Sequence, residues 1–369
     1  MAGMRPCLTA APHICGTAGV PPITSAAATV PQYRSSDLRT REFGKSGLTT
    51  SVIGFGGWPM GRGQYGSFDD DQASAAAKLA YDSGVTLFDT AAVYGWGYGE
   101  ELLGKAIKDF RKKIVLVTKG GRKWLEGNAD RSRATVSDSS PEYLNHGIEE
   151  SLRRLQTDYI DLYLIHWPDP SRPYSVPMQV LEEARRAGKI RYYGVSNFNS
   201  EMMADCLEHG RIACNQVGYH AFDRRPEAKT FPFVRKNGIG IMAYGSMAHG
   251  LLTGTWKADH KFGDDDWRRG GKNFGLTTWA PENLPKNVAV VEKLRKIAAD
   301  QGKTLPQLAI AWVLGHPAVT VALCGAKQPE EVKEDVGGDW DMPVALREQI
   351  NSLVLAEGSG AGKVGDPGP

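Results

Sequence analysis

Three short apolar stretches each close on side chains that handle protons. Thr86–Phe88 runs into Asp89, with Tyr94 five residues further on; Ile114–Val117 runs into Thr118 and Lys119; Ile160–Ile165 runs into His166. An acid, a phenol, an ammonium and an imidazole, contributed in turn, read as one site assembled from several strand ends. Taken singly, each has a plain structural explanation: a turn cap, a rim tyrosine, a surface lysine before Gly120-Gly121, a core histidine. Together they can move a proton. A free tyrosine, with a pKa of ~10, is a poor acid at neutral pH. A neighbouring ammonium favours the phenolate and is expected to lower that value. A carboxylate paired with the lysine would hold it in place, and a histidine would orient a substrate oxygen. Such a set protonates a carbonyl oxygen while something else adds to the carbon. No side chain supplies a hydride, so a reduced cofactor is required.

The elements that would position these groups alternate. Strands are predicted at Val52–Phe55, Thr86–Phe88, Ile114–Val117, Ile160–Ile165, Tyr192–Val195, Ala213–Val217, Gly240–Ala243 and Val319–Leu323. Helices are predicted at Asp71–Asp82, Gly99–Phe110, Pro141–Leu155, Val176–Ala187, Ser200–His209 and Pro226–Lys236, with an extra helical face over Asn287–Asp300. Ser140-Pro141-Glu142 is a helix start, and Gly84, Gly188 and Gly238 stand where left-handed C-caps want glycine. Alternating strands and helices imply parallel pairing through right-handed crossovers. A closed (β/α)8 TIM barrel of the α/β class is preferred to an open doubly wound sheet, because the polar residues fall at successive strand ends. The Gly44–Gly47 turn within Arg39–Thr50 predicts a short N-terminal hairpin, and extra C-terminal helices are expected.

Composition narrows the class. Among 369 residues, 44 Lys and Arg stand against 42 Asp and Glu. That balance gives no whole-chain reason to expect nucleic acid as a partner. No apolar run approaches the ~20 residues needed to span a bilayer, so no membrane insertion is expected. Five scattered cysteines, Cys7, Cys15, Cys206, Cys214 and Cys324, form no C-x-x-C, so neither a disulfide framework nor a metal site is expected. A cytoplasmic setting fits them. Residues 1–36 hold no Asp or Glu and read as a disordered leader, with organelle targeting as the alternative. The expected organisation is a leader over 1–38, one barrel over 39–356 and a Gly-rich disordered tail over 357–369.

Several motifs, in order, carry a resemblance. Phe88-Asp89-Thr90-Ala91-Ala92-Val93-Tyr94-Gly95, then Glu100 and Leu102-Leu103-Gly104, is similar to the aldo-keto reductase signature. Val117-Thr118-Lys119, Leu162–Pro168, Gly194–Phe198 and Asn215-Gln216-Val217 follow in the family's order. The resemblance runs from about Thr40 to Leu355 and implies a (β/α)8 barrel that reduces aldehydes or ketones with a nicotinamide cofactor. It implies NADP(H), with NAD(H) as the alternative. By position, Tyr94 would be the proton donor, Lys119 would depress its pKa, Asp89 would pair with Lys119, and His166 would orient the carbonyl.

The same resemblance assigns the cofactor residues. Ser196, Asn197 and Gln216 would hydrogen-bond the carboxamide, Tyr244 would stack on the ring, and Gly245, Ser246 and Met247 open the cofactor loop. Gly57 and Trp58 would add to the site. In the long stretch that follows, Asp264-Asp265-Asp266 with Arg268-Arg269 read as a latch across the pyrophosphate, with a solvated charged loop as the alternative. Gly325, Lys327 and Gln328 resemble the adenosine-phosphate site, with Lys327 on a 2′-phosphate. Gln328 replaces a second basic residue often seen there, and Glu331 and Asp335 stand where relatives commonly have neutral Gln or Asn, or a basic residue at the first; two added carboxylates would disfavour that phosphate unless they face adenine. Gly54-Phe55-Gly56-Gly57-Trp58-Pro59 lacks the third glycine of a dinucleotide fingerprint. Trp58, Trp96 and Trp167 would wall the pocket for a small-molecule carbonyl substrate. The alternatives are an NAD-dependent sugar or alcohol dehydrogenase and a cofactor-binding regulatory subunit of a membrane channel. Oligomeric state is not legible.

Overall fold

The computed structural model describes residues 38–61, 68–124, 135–264, 266–272 and 274–360. Cys7, Cys15, almost all of the predicted leader, Asp265 and residues 361–369 lie outside the described residues. Eight parallel strands close into a barrel: β3 (Ile53–Gly56), β4 (Leu87–Asp89), β5 (Val115–Gly120), β8 (Ile160–Ile165), β9 (Ile190–Ser196), β10 (Cys214–Gly218), β11 (Gly240–Tyr244) and β12 (Val319–Gly325), which pairs back onto β3. Each predicted strand is present, its ends within three residues of those expected. The expected barrel is the observed one.

Alternation of side chains explains the two cores. On one face of the strands, Leu87, Val115, Val117, Leu162, Leu164, Met242 and Val321 fill the barrel. The predicted hairpin, β1 (Thr40–Glu42) with β2 (Thr49–Ser51), adds Phe43 and Leu48 to that interior cluster as its plug. Gly240 admits the plug: a Cβ there would sit 2.5 Å from the Phe43 ring. The opposite strand faces pack on the helices that follow them: α1 (Asp70–Asp82), α2 (Tyr98–Ile107), α3 (Pro141–Leu155), α4 (Ser175–Arg186), α5 (Ser200–His209) and α6 (Thr230–Asn237). Ser140 caps α3, with Pro141 in its first turn.

Several local expectations are corrected. The helix predicted over Pro226–Lys236 divides into a 3-10 turn at Arg225–Glu227 and α6. The one predicted to reach Phe110 leaves α-helical geometry at Ile107 and continues as a 3-10 helix to Lys113. A hairpin of β6 (Arg122–Trp124) and β7 (Thr135–Ser137) was not foreseen, because its short strands carry no apolar alternation. After β11 come α7 (Leu284–Asp300) and α8 (Leu305–Leu314), then α9 (Pro329–Val336) and α10 (Val344–Glu357) after β12. Helix α8 is buried over eight of its ten residues and so shows no amphipathic period. The segment read as a disordered tail from 357 is ordered at its start, where Ser359 exchanges hydrogen bonds of 2.7 and 2.8 Å with Asn287 of α7.

The division at Pro226 has a purpose. The Glu227 carboxylate accepts from Tyr219 Oη (2.7 Å), Arg224 Nη2 (2.8 Å) and Arg347 Nη2 (3.3 Å), tying the segment after β10 to α10. These donors hold its pKa at about 2, against an ordinary 4.5. A depressed carboxylate pKa contributes stability that is full above the unfolded value and is lost as pH falls through the folded one. Glu227→Gln is expected to cost on the order of 3 kcal/mol at pH 7. The difference from the parent should shrink between pH 4.5 and 2. Denaturation midpoints at pH 7 and pH 3 check both statements.

Candidate active site

The C-terminal strand ends bring the proton-handling residues together. Asp89 ends β4, Tyr94 lies in the loop after it, Lys119 is near the end of β5, and His166 directly follows β8. Lys119 is fully buried, and its ammonium has three donors with three acceptors: Asp89 Oδ2 at 2.7 Å, the Thr90 carbonyl at 2.8 Å and Tyr94 Oη at 3.3 Å. Because the phenol oxygen accepts from Lys119, its own proton must point elsewhere, and Tyr94 lines a cavity of about 800 Å³. His166 lines the same cavity, its ring edge-on to Tyr94 at 5.8 Å.

The electrostatics differ in one respect from the expected depression of Tyr94. Burial and the Asp89 carboxylate push the phenol well above its ordinary value of 10. Lys119 therefore does not make a phenolate at rest; it holds a neutral phenol and donates to its oxygen. Burial lowers Lys119 and raises Asp89, and their contact opposes both shifts. Burial, then the cations of Lys119 and Arg122, hold His166 well below 6.5, so its imidazole is neutral.

The other predicted residues gather along the cavity. Trp58, Trp96, Trp167, Ser196, Asn197, Gln216 and Tyr244–Met247 line it near the barrel mouth. Gly325, Lys327, Glu331 and Asp335 line it from the end of β12 along α9. Gly57 and Gln328 are not among its lining residues. Gly57 N–H bonds the Asp89 carbonyl at 2.7 Å, and Gln328 stands at the N-cap position of α9 without a side-chain cap hydrogen bond. The polar trio is preorganised: Gln216 Nε2 donates to Asp89 Oδ1 (2.8 Å), Ser196 Oγ to the Gln216 carbonyl (3.0 Å), and Asn197 Nδ2 to the His166 carbonyl (3.1 Å). Tyr244 Oη donates to Asn197 Oδ1 at 2.8 Å.

The charged residues of the expected latch pair among themselves. Arg268 bonds Asp266 at 2.9 and 2.6 Å and packs on the Trp256 ring at 4.4 Å, while still lining the cavity. Arg269 pairs with Asp264 at the surface. At the far end, Glu331 accepts from the Lys327 backbone N–H at 2.6 Å. Asp335 is pushed well above its ordinary pKa by burial and by the neighbouring Glu331 and Glu334. Also in the lining are His249, singled out by the sequence only as part of the cofactor-loop stretch Tyr244–Gly254, and Phe274, which the sequence does not single out. They come from the long β11–α7 loop, where no residue spacing marks which side chain turns inward.

A sequence model described as the Aldo/keto reductase family matches residues 52–337. The chain belongs to the aldo/keto reductase family. It is an oxidoreductase, and its family uses a nicotinamide cofactor on small carbonyl compounds. Among its relatives, the NADH-specific methylglyoxal reductase of Escherichia coli is 32% identical, over 79% of this chain and 91% of that one. Aldo-keto reductase yakc [NADP(+)] of Schizosaccharomyces pombe is 31% identical, over 87% of this chain and 90% of that one. The solved glycerol dehydrogenase AKR11B4 of Gluconobacter oxydans superposes with a TM-score of 0.79 at 31% identity, covering 89% of this chain and 98% of that one.

The cavity of this aldo/keto reductase suits its cofactor. At about 800 Å³ it lies in the upper part of the ~300–1,000 Å³ range of small-molecule sites. Gly325 opens one wall, where a Cβ would meet Pro59 at 2.9 Å. Ser196, Asn197 and Gln216 add amide and hydroxyl groups to the same lining as Tyr94. Among the described residues, no helix is long and apolar enough to cross a membrane.

Proposed function

We propose that this reductase converts aldehydes or ketones to alcohols with Tyr94 as proton donor. The observation that carries the reading is the triply bonded Lys119, which leaves the phenol proton of Tyr94 directed toward the cavity. The nicotinamide dinucleotide, when bound, supplies the hydride. Ser196, Asn197 and Gln216 would hold its carboxamide, and Tyr244 would pack against its ring. His166, as a neutral imidazole, fixes the carbonyl oxygen near Tyr94 Oη. As negative charge develops on that oxygen, the phenol gives up its proton, and the Lys119 ammonium stabilises the phenolate left behind. Asp89 and Gln216 keep the ammonium in register.

The dinucleotide reading is NADP(H), through Lys327 on a 2′-phosphate. A second reading, NAD(H), has its own support: Glu330, Glu331, Glu334 and Asp335 line the cavity beside Lys327. The relatives divide in the same way, one named for NADH and one for NADP(+). Oxidation of an alcohol is the reverse of the same device, with Tyr94 as base, and the Gluconobacter protein is named for it. The test is consumption of NADPH and NADH with a panel of aldehydes, ketones and polyols, alongside dinucleotide titrations by fluorescence. Lys327→Ala is expected to weaken NADPH about tenfold and NADH less than about twofold. Glu331→Gln, which keeps an acceptor for Lys327 N–H, is expected to tighten NADPH. Equal effects on both dinucleotides would remove Lys327 from the phosphate. Tight binding with no turnover of any substrate would turn the reading toward a regulatory subunit.

A further inference from the structure

Strain marks the cavity. Among the described residues, six non-glycine positions have positive φ: Trp96, Gln156, Asn197, Ala248, His249 and Phe274. Four of them, Trp96, Asn197, His249 and Phe274, line the cavity. Left-handed backbone is unfavourable for a bulky side chain and persists only where surrounding contacts enforce it. Phe274 (φ 51°) is followed by Gly275 (φ 72°), so two successive left-handed residues turn the tip of the β11–α7 loop.

An ion pair enforces this turn. Arg225 forms a fork with Asp223, Nε to Oδ1 at 2.8 Å and Nη2 to Oδ2 at 2.7 Å, and Nη2 also donates to the Phe274 carbonyl at 2.8 Å. Asp223 is buried, so the fork is anchored in the loop after β10. The guanidinium lies so close over Gly275 that a Cβ there would stand 2.9 Å from Arg225 Nη1. The clamp thus fixes both the backbone and the direction of the ring.

The Phe274 ring closes an aromatic wall around the acid. It is parallel to Trp167 (4°, 6.5 Å), nearly parallel to His249 (17°, 5.0 Å) and edge-on to Trp58 (79°, 6.3 Å). Trp58 in turn stacks on Tyr94 at 6.3 Å, and Trp167 directly follows His166. The two lining cations, Arg268 and Lys327, are respectively paired with Asp266 and placed at the β12 end. Such a wall offers flat apolar faces and no counter-ion for an anionic substrate.

We infer that Phe274 selects the substrate, favouring neutral carbonyl compounds with a planar apolar substituent, and that Arg225 is its positioning residue. The inference rests on the carbonyl-reductase reading above. Phe274 packs against the substituent while Tyr94 and His166 hold the carbonyl. Arg225 acts only through the Phe274 backbone.

The test compares benzaldehyde with propanal in the full chain, with dinucleotide affinity measured separately by fluorescence titration. Phe274→Ala is expected to raise KM for benzaldehyde roughly tenfold or more and to leave propanal within about threefold; because its ring also meets Tyr244 at 5.7 Å, any change in dinucleotide affinity is read separately and falls on both aldehydes alike. Phe274→Tyr keeps a flat face and should keep the preference. Arg225→Met should give the same split at smaller size, and Arg225→Lys, which retains a donor for the Phe274 carbonyl, should recover part of it. The double variant should be no worse than Phe274→Ala alone, because both act through one ring. Equal losses for the two aldehydes, or additive losses in the double variant, would overturn the inference. A Phe274→Ala protein as selective as its parent would overturn it while leaving the reductase reading intact. A parent that turns over neither these aldehydes nor the wider panel overturns both.

Discussion

Tyr94→Phe is expected to lower kcat by about 10²- to 10⁴-fold while leaving dinucleotide affinity near that of the parent. The ring stays and keeps its stacking on Trp58, so the cavity retains its shape. What disappears is the hydroxyl that accepts from Lys119 and presents a proton to the cavity. The stability cost should be about 1 kcal/mol, since Lys119 keeps its bonds to Asp89 and Thr90. His166 is a weak substitute as acid: its imidazole is held neutral by burial and by the cations of Lys119 and Arg122. The parent's reduction rate should therefore be level between pH 6 and 8, where an ordinary histidine would titrate. It should fall only where a phenol raised above 10 begins to lose its proton. Single-turnover rates beside dinucleotide titrations separate the chemical step from binding. A variant as fast as its parent would place the acid elsewhere.

Much of this site was legible before any coordinates, for a physical reason. A barrel puts the ends of all its strands on one face, so residues far apart in sequence meet by topology alone. Apolar runs closing on Asp89, Lys119 and His166 were therefore a three-dimensional statement written in one dimension. Tyr94 was recognisable because its short loop cannot carry it far from Asp89. The sign of its pKa shift was not recognisable: spacing shows that a lysine is near, but not that burial outweighs it. The β11–α7 loop was the least legible part. His249 and Phe274 face the cavity because of backbone conformations and a clamp from Arg225, and neither has a periodic signature. Likewise, α8 hid its identity by being apolar on every side.

Lys119→Met is expected to combine the largest loss of stability with a loss of activity comparable to that of Tyr94→Phe. Lys119 is fully buried and Asp89 is 3% exposed, so the substitution leaves a carboxylate in the barrel with Gln216 as its remaining side-chain donor. Removing one partner of a buried pair costs about 3–5 kcal/mol, whereas removing both is nearly neutral. Asp89 is already raised by burial, and losing the ammonium raises it further. A carboxylate whose folded pKa lies above its unfolded value destabilises at high pH, and protonation relieves the penalty. The Lys119→Met deficit should thus be full above the raised folded value and shrink as pH falls from there toward the ordinary aspartate value of 3.8. The double variant Lys119→Met/Asp89→Asn should recover most of the stability, because no unpaired charge remains. It should recover none of the rate, because Tyr94 still lacks the cation that stabilises its phenolate. Denaturation midpoints and kcat, measured on both variants, read these two consequences independently. A double variant that regained activity with its stability would show that Lys119 serves only the fold, whereas a stable but slow one assigns the ammonium to the transfer of the Tyr94 proton.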